Sequence, residues 1–185
     1  MTAQALAKPV QRSSSLHFLL TTVLGSVFLA LASQVAVPLP FTTVPFTLQT
    51  VAIFLLGITL DPKRGLASVL LYLTEGAIGL PVFCLGNGGF LCLIGLGGGW
   101  LLAFAPAVWL VGTLYQRLTF NPNLRILVAC LAGEGVIFLG GLLWIAMLSG
   151  GETALILADL TLLLPGLLKI ALVVSASPLL NKVRL

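Results

Sequence analysis

Charge is scarce in this sequence. Lys, Arg, Asp and Glu make up 8% of its 185 residues, against about 25% in an average soluble domain. It has one histidine, His17, and three cysteines, Cys84, Cys92 and Cys130, with no CxxC among them. These shortages exclude whole classes of function. An odd set of dispersed cysteines builds neither a disulfide framework nor a metal site, so the three read as small apolar packing residues. No HExxH, Ser/His/Asp set or Cys/His pair occurs, so no enzyme and no cofactor are expected. The glycine runs "GNGGF" and "GLGGGW" lack a preceding strand, a Lys-Ser/Thr pair and a following ribose-binding acid, which argues against a nucleotide loop. The net charge of +4 is not gathered into a basic patch with interleaved aromatics, which argues against nucleic acid as a partner.

Apolar residues are abundant instead. They make up 59% of the chain, and the mean hydropathy is +1.17. Such a chain lacks the polar surface to cover itself in water. Several segments run close to 20 residues with few or no charges, enough to cross about 30 Å of hydrocarbon. The apolar runs are continuous and do not alternate, which favours helices over a β-barrel. We therefore expect an all-α membrane protein with six transmembrane helices. A polar segment, 1–15, precedes a transmembrane domain, 16–185. The spans are read at about 16–37, 48–60, 66–81, 98–118, 126–148 and 165–181, the second being short. Between the first two lies "VPLPFTTVPFT", where three prolines forbid a regular helix.

The few charges orient the bundle. Lys8 and Arg12 precede span one, and Lys63 and Arg64 lie between spans two and three. Arg117 and Arg125 flank the turn between four and five, and Lys182 and Arg184 follow six. The loops 37–47, 82–97 and 149–164 carry no Lys or Arg. Positive residues favour the cytoplasm, so both termini are expected inside.

One cation breaks the pattern. Lys169 lies about six residues inside the outer end of span six, roughly 9 Å deep at 1.5 Å per residue. A central lysine costs about 2.5–3.5 kcal/mol to insert. It reads either as a snorkelling side chain or as a binding cation facing a protein-lined cavity. Pro165 and Gly166 precede it, so free N–H groups of a helix start would point to the same place. Glu75 lies at nearly the same depth and is the expected ion partner of Lys169, whereas Glu134 sits nearer the middle of span five. These carboxyls read as proton-coupling groups or as buried locks of the bundle. The irregular outer segments add amides and flat rings, namely Gln49, Thr47, Asn87, Trp100, Phe41 and Phe46. Ser26 and Ala30, with Gly25 and Ala32 nearby, form a small-residue face on span one, suited to internal packing or to a partner.

The segments "SQVAVPLPFTTVPFTLQT", "GAIGLPVFCLGNGGF", "GGGWLLAF" and "LLPGLLKIALVV" resemble the BioY family, the biotin-binding S components of energy-coupling factor (ECF) transporters. The resemblance covers about 26–174. It implies a six-helix S-component-like bundle in the bacterial cytoplasmic membrane, with the proline loop as a lid over an outward-facing biotin pocket. It implies Lys169, Asn87 and Gln49 as ligand contacts, to which the reading of the outer segments adds Trp100, Thr47 and Phe46. It places the Ser26–Ala30 face against a transmembrane coupling subunit driven by two ATP-binding subunits. The sequence departs from the family pattern at "PGLLK", which lacks the usual Asp, at Trp100 in place of Tyr, and at Glu75 and Glu134 in place of apolar residues. The alternatives are an S component for another small vitamin or a biotin precursor, and a structural membrane protein without a ligand.

Overall fold

The structure, a computed structural model, describes residues 15–38, 45–151 and 160–180. The polar head, most of the proline loop with Phe41, the segment 152–159, and Lys182 and Arg184 lie outside the described residues. Helix α1 spans Ser15–Gln34, α2 Gln49–Thr59, α3 Pro62–Ala77, α4 Phe90–Ile94, α5 Gly98–Arg117, α6 Pro122–Leu148, α7 Leu163–Ser175 and α8 Ser177–Leu180. A two-residue ribbon interrupts the helical pattern. Strands β1 (Ala36–Val37) and β2 (Phe46–Thr47) pair antiparallel, with Ala36 opposite Thr47 and Val37 opposite Phe46. The all-α expectation thus needs a small correction. Prolines at 38, 40 and 45 exclude helix at both ends of the loop, and the freed backbone groups pair across it instead.

Among the described residues, three helices, α1, α5 and α6, are long and apolar enough to cross a membrane. With 11 residues, α2 is about 16 Å long, and α7 has 13 residues; neither matches a full hydrocarbon core. Span three starts earlier than read, inside "DPKRG". Asp61 caps α3 by accepting from the backbone N–H groups of Lys63 and Arg64, both at 3.0 Å, and Pro62 occupies the first helical position. Asn121 and Pro122 repeat the device at α6, where the Asn121 amide oxygen accepts from Leu124 N at 2.9 Å. Span six is broken at Ala176 into α7 and the short α8.

Glycines set how closely the helices approach. The most extensive packing joins α5 to α6. Gly99 lies against Trp144, and Gly141 lies under the Trp100 indole, where any Cβ would overlap the ring. Gly57 and Gly133 both abut Val111, which draws α2 and α6 onto the middle of α5. The core centres there, with Phe54, Val108, Val111 and Ile137 sealed from solvent. The outer surface is apolar too. Leu131, Leu139, Leu143 and Met147 form one exposed stripe on α6, and Leu16, Leu20, Leu24 and Leu31 form another on α1. Exposed apolar stripes over an apolar core suit hydrocarbon as the solvent.

The overlap at Gly141 generates a prediction. Gly141→Ala should force Trp100 from its place and destabilise the bundle by about 1–3 kcal/mol. A lowered thermal midpoint in detergent is the expected outcome, and an unchanged midpoint counts against this packing.

Candidate ligand-binding site

At the end of the bundle that carries the β-ribbon, the helices leave a cavity of about 260 Å³. Its wall is assembled from every part of the chain packed there. Phe46 and Thr47 come from β2, Gln49 and Thr50 from the first turn of α2, and Phe83, Cys84 and Asn87 from the loop after α3. Trp100, Leu101 and Phe104 come from α5, Glu134 and Ile137 from α6, and Pro165 and Lys169 from α7. The cavity is thus mostly apolar with a few converging polar groups, the usual composition of a small-molecule site.

Local backbone chemistry explains why the loop after α3 can serve as a wall. Its glycines adopt positive φ, 73° at Gly86 and 99° at Gly89, backbone that other residues enter only at a cost. The chain closes in a 3-10 turn, Cys84–Gly86, whose carbonyls and amides bond inward. Gln34, the last residue of α1, clamps this turn from outside. Its amide nitrogen donates to Phe83 O at 3.1 Å, and its amide oxygen accepts from Gly86 N at 2.9 Å.

Among the described residues, Lys169 is the only Lys or Arg that lines the cavity. Its Nζ donates to Thr50 Oγ1 at 3.3 Å and stands 4.6 Å from the centre of the Phe46 ring. A partly desolvated ammonium over a ring face gains about 0.5–2 kcal/mol. These contacts use part of its donor capacity, since an ammonium has three N–H groups and no acceptor. The snorkelling reading is not supported, because the nitrogen is held by protein groups beside an internal void.

Gln49 and Thr47 are buried and bonded to each other. The Thr47 hydroxyl donates to Gln49 Oε1 at 3.1 Å, and Gln49 Nε2 donates to the Tyr72 hydroxyl at 2.6 Å. Tyr72 itself is completely buried, edge-on to Phe83 at 5.4 Å. Sequence reading missed Tyr72, though a lone phenol in a span is a signal that a polar partner must be found. It missed Thr50 and Gln34 as well. Asn87 lies at the exposed rim, where its Nδ2 donates to Cys84 O at 2.8 Å. Trp100 is 8% exposed, edge-on to Phe138 at 5.7 Å, and its indole N–H has no hydrogen-bond partner. Of the three cysteines, Cys84 and Cys92 line the cavity and Cys130 is in the core. No group of three potential metal ligands occurs among the described residues.

Two expectations are corrected. Glu75 is not the neighbour of Lys169. It lies between α1 and α3, where its carboxylate accepts from the Ser26 hydroxyl, and it does not line the cavity. Equal depth did not bring Glu75 and Lys169 together, because α3 turns that residue toward α1. The acid in the cavity is Glu134. Likewise the Ser26–Ala30 face is used inside the bundle. Ser26 is fully buried against Glu75, Ala30 is half-buried, and a Cβ on neighbouring Gly25 would strike Ser68 of α3.

This fold and site define an integral membrane protein built around a cavity of small-molecule size. The family model for the BioY family matches residues 5–184. A probable biotin transporter BioY from Pyrococcus horikoshii is 34% identical over 149 residues, which cover 80% of this chain and 88% of the relative. Biotin transporter BioY2 from Lactococcus lactis is 31% identical over 134 residues, 72% of each chain. The crystal structure of an S-component for biotin from an ECF-type ABC transporter superposes with a TM-score of 0.82 at 25% identity, covering 92% of this chain and 94% of the other. The chain belongs to the BioY family.

The buried amide–phenol contact is testable. Tyr72→Phe leaves the Gln49 Nε2 donor without its acceptor in a dry place, at a cost of about 1–3 kcal/mol. Thermal unfolding in detergent should report the loss, and restoration by a second change, Gln49→Leu, would assign it to the orphaned donor.

Proposed function

We propose that the chain is a membrane-embedded biotin-binding subunit that mediates biotin uptake, energised by a separate coupling subunit and ATP-binding subunits. The observation that carries this reading is an ammonium group, Lys169, held beside an otherwise mostly apolar cavity at one end of the bundle. Biotin needs such a mixture. Its fused rings are compact and apolar on their flanks, while its ureido group and carboxylate require polar partners. Trp100 and Phe104 offer flat surface to the rings, and Lys169 donates to an oxygen of the ligand. Asn87 meets a polar group at the rim. Gln49 and Thr47, already bonded to each other, hold the wall in shape with the α2 start.

Charge supports the orientation. Lys63 and Arg64 at the start of α3, with Arg117 and Arg125 around the α5–α6 turn, lie at the end opposite the cavity. With positive residues inside, the cavity faces outward, six segments enter the bacterial cytoplasmic membrane and both termini are cytoplasmic. The β1–β2 ribbon at the base of the proline loop stands beside the cavity, and Phe46 links it to Lys169. The sequence carries no ATP-binding motif, so an ATPase module acting through a coupling subunit supplies the energy for inward release.

Purified protein should bind labelled biotin, and Lys169→Ala should weaken binding at least about tenfold, since a lost charge-assisted hydrogen bond costs about 1.5–3 kcal/mol. Equal affinity in the variant would remove Lys169 from the site. No binding of biotin by the wild type would end the reading as a whole.

A further inference from the structure

Among the described residues, Glu134 is the one acidic residue that lines the cavity. Its oxygen Oε2 is buried and has no hydrogen-bond partner. No ion pair at contact distance joins it to Lys169, whose Nζ donates to Thr50 Oγ1. A buried carboxyl oxygen left without a donor is costly and calls for an explanation. The surrounding chain makes room for this group. A Cβ on Gly166, in the first turns of α7, would occupy the place of the Glu134 carboxylate. An ammonium donor and a carboxyl acceptor therefore line one cavity with no ion pair at contact distance between them, and each keeps capacity for a guest.

We propose that Glu134 is a specificity-determining residue that accepts a hydrogen bond from a ureido N–H of the ligand. The inference rests on biotin as that ligand. A carboxylate is an acceptor and requires an N–H or O–H from its partner. Biotin offers such N–H groups only on its ureido ring. The valerate carboxylate would meet like charge at Glu134 and is directed elsewhere, so the ureido ring lies on the α6–α7 side of the cavity. Gly166 is then a positioning residue that keeps the acceptor at the cavity wall.

Equilibrium binding to the full-length protein in detergent tests this, with biotin and a biotin methylated on both ring nitrogens as probes. Wild type should prefer biotin by about tenfold to a hundredfold, the range for a hydrogen bond to a charged group. Glu134→Leu and Glu134→Gln should lose affinity for biotin while binding the methylated compound no worse than wild type does, so that the preference shrinks. Gly166→Ala should reduce the same preference by displacing the carboxylate. Equal loss for both ligands in the Glu134 variants would mean that Glu134 only balances the charge of Lys169, and would overturn the proposal. So would wild type that binds the two ligands equally, a result that needs no variant to fold. Failure of wild type to bind biotin is a separate outcome, which removes the ligand assignment and this inference with it.

Discussion

Hydrocarbon supplies no hydrogen bonds, so every polar group in this bundle must find its partner within the chain. That constraint organises the structure. Helix starts at Asp61 and Asn121 satisfy their own N–H groups with a side chain and a proline. Backbone freed by the prolines pairs in a two-residue ribbon. The Gln49 amide is matched to a threonine and a tyrosine, and the Glu75 carboxyl to a serine. Among the buried polar groups left unmatched, the Trp100 N–H and one Glu134 oxygen stand at the cavity beside Lys169, which keeps part of its donor capacity.

The same constraint explains the division between the two ends of the molecule. The charged end is built from short turns closed by caps and by the Asp61–Arg64 pair. The cavity end is built from irregular backbone, with glycines at positive φ and a 3-10 turn held by Gln34. Irregular chain at depth is tolerated where it is buried or lines a void. The short α2 and α7 start in this irregular layer, and their first two turns deliver Gln49, Thr50, Pro165 and Lys169 to the wall. Short helices thus supply the site, while α1, α5 and α6 supply the span.

Packing then fixes the shape of the cavity. Glycines at 57, 133 and 141 let α2, α5 and α6 close to contact distance, so that Trp100 and Phe104 stand as a rigid wall. Small residues on α1 serve the same end, drawing α3 toward it through Gly25 and Ser26. A face that could have met a partner is spent on holding the bundle together, and the exposed surface of α1 is left to bulky residues such as Leu24 and Leu31.

What the sequence determined by itself follows from one-dimensional quantities. Composition set the solvent as lipid, the prolines and glycines marked where helices cannot run, and the lone Lys169 was out of place along its own span whatever surrounded it. What only the tertiary structure decided is direction around each helix axis. Glu75 and Lys169 were expected side by side but face different neighbours, and Glu134 comes to the cavity in place of Glu75. Tyr72 meets Gln49 across 23 residues of chain. Rotation of a helix depends on how all its neighbours pack, which for these nearly uniformly apolar helices no local pattern of residues can specify.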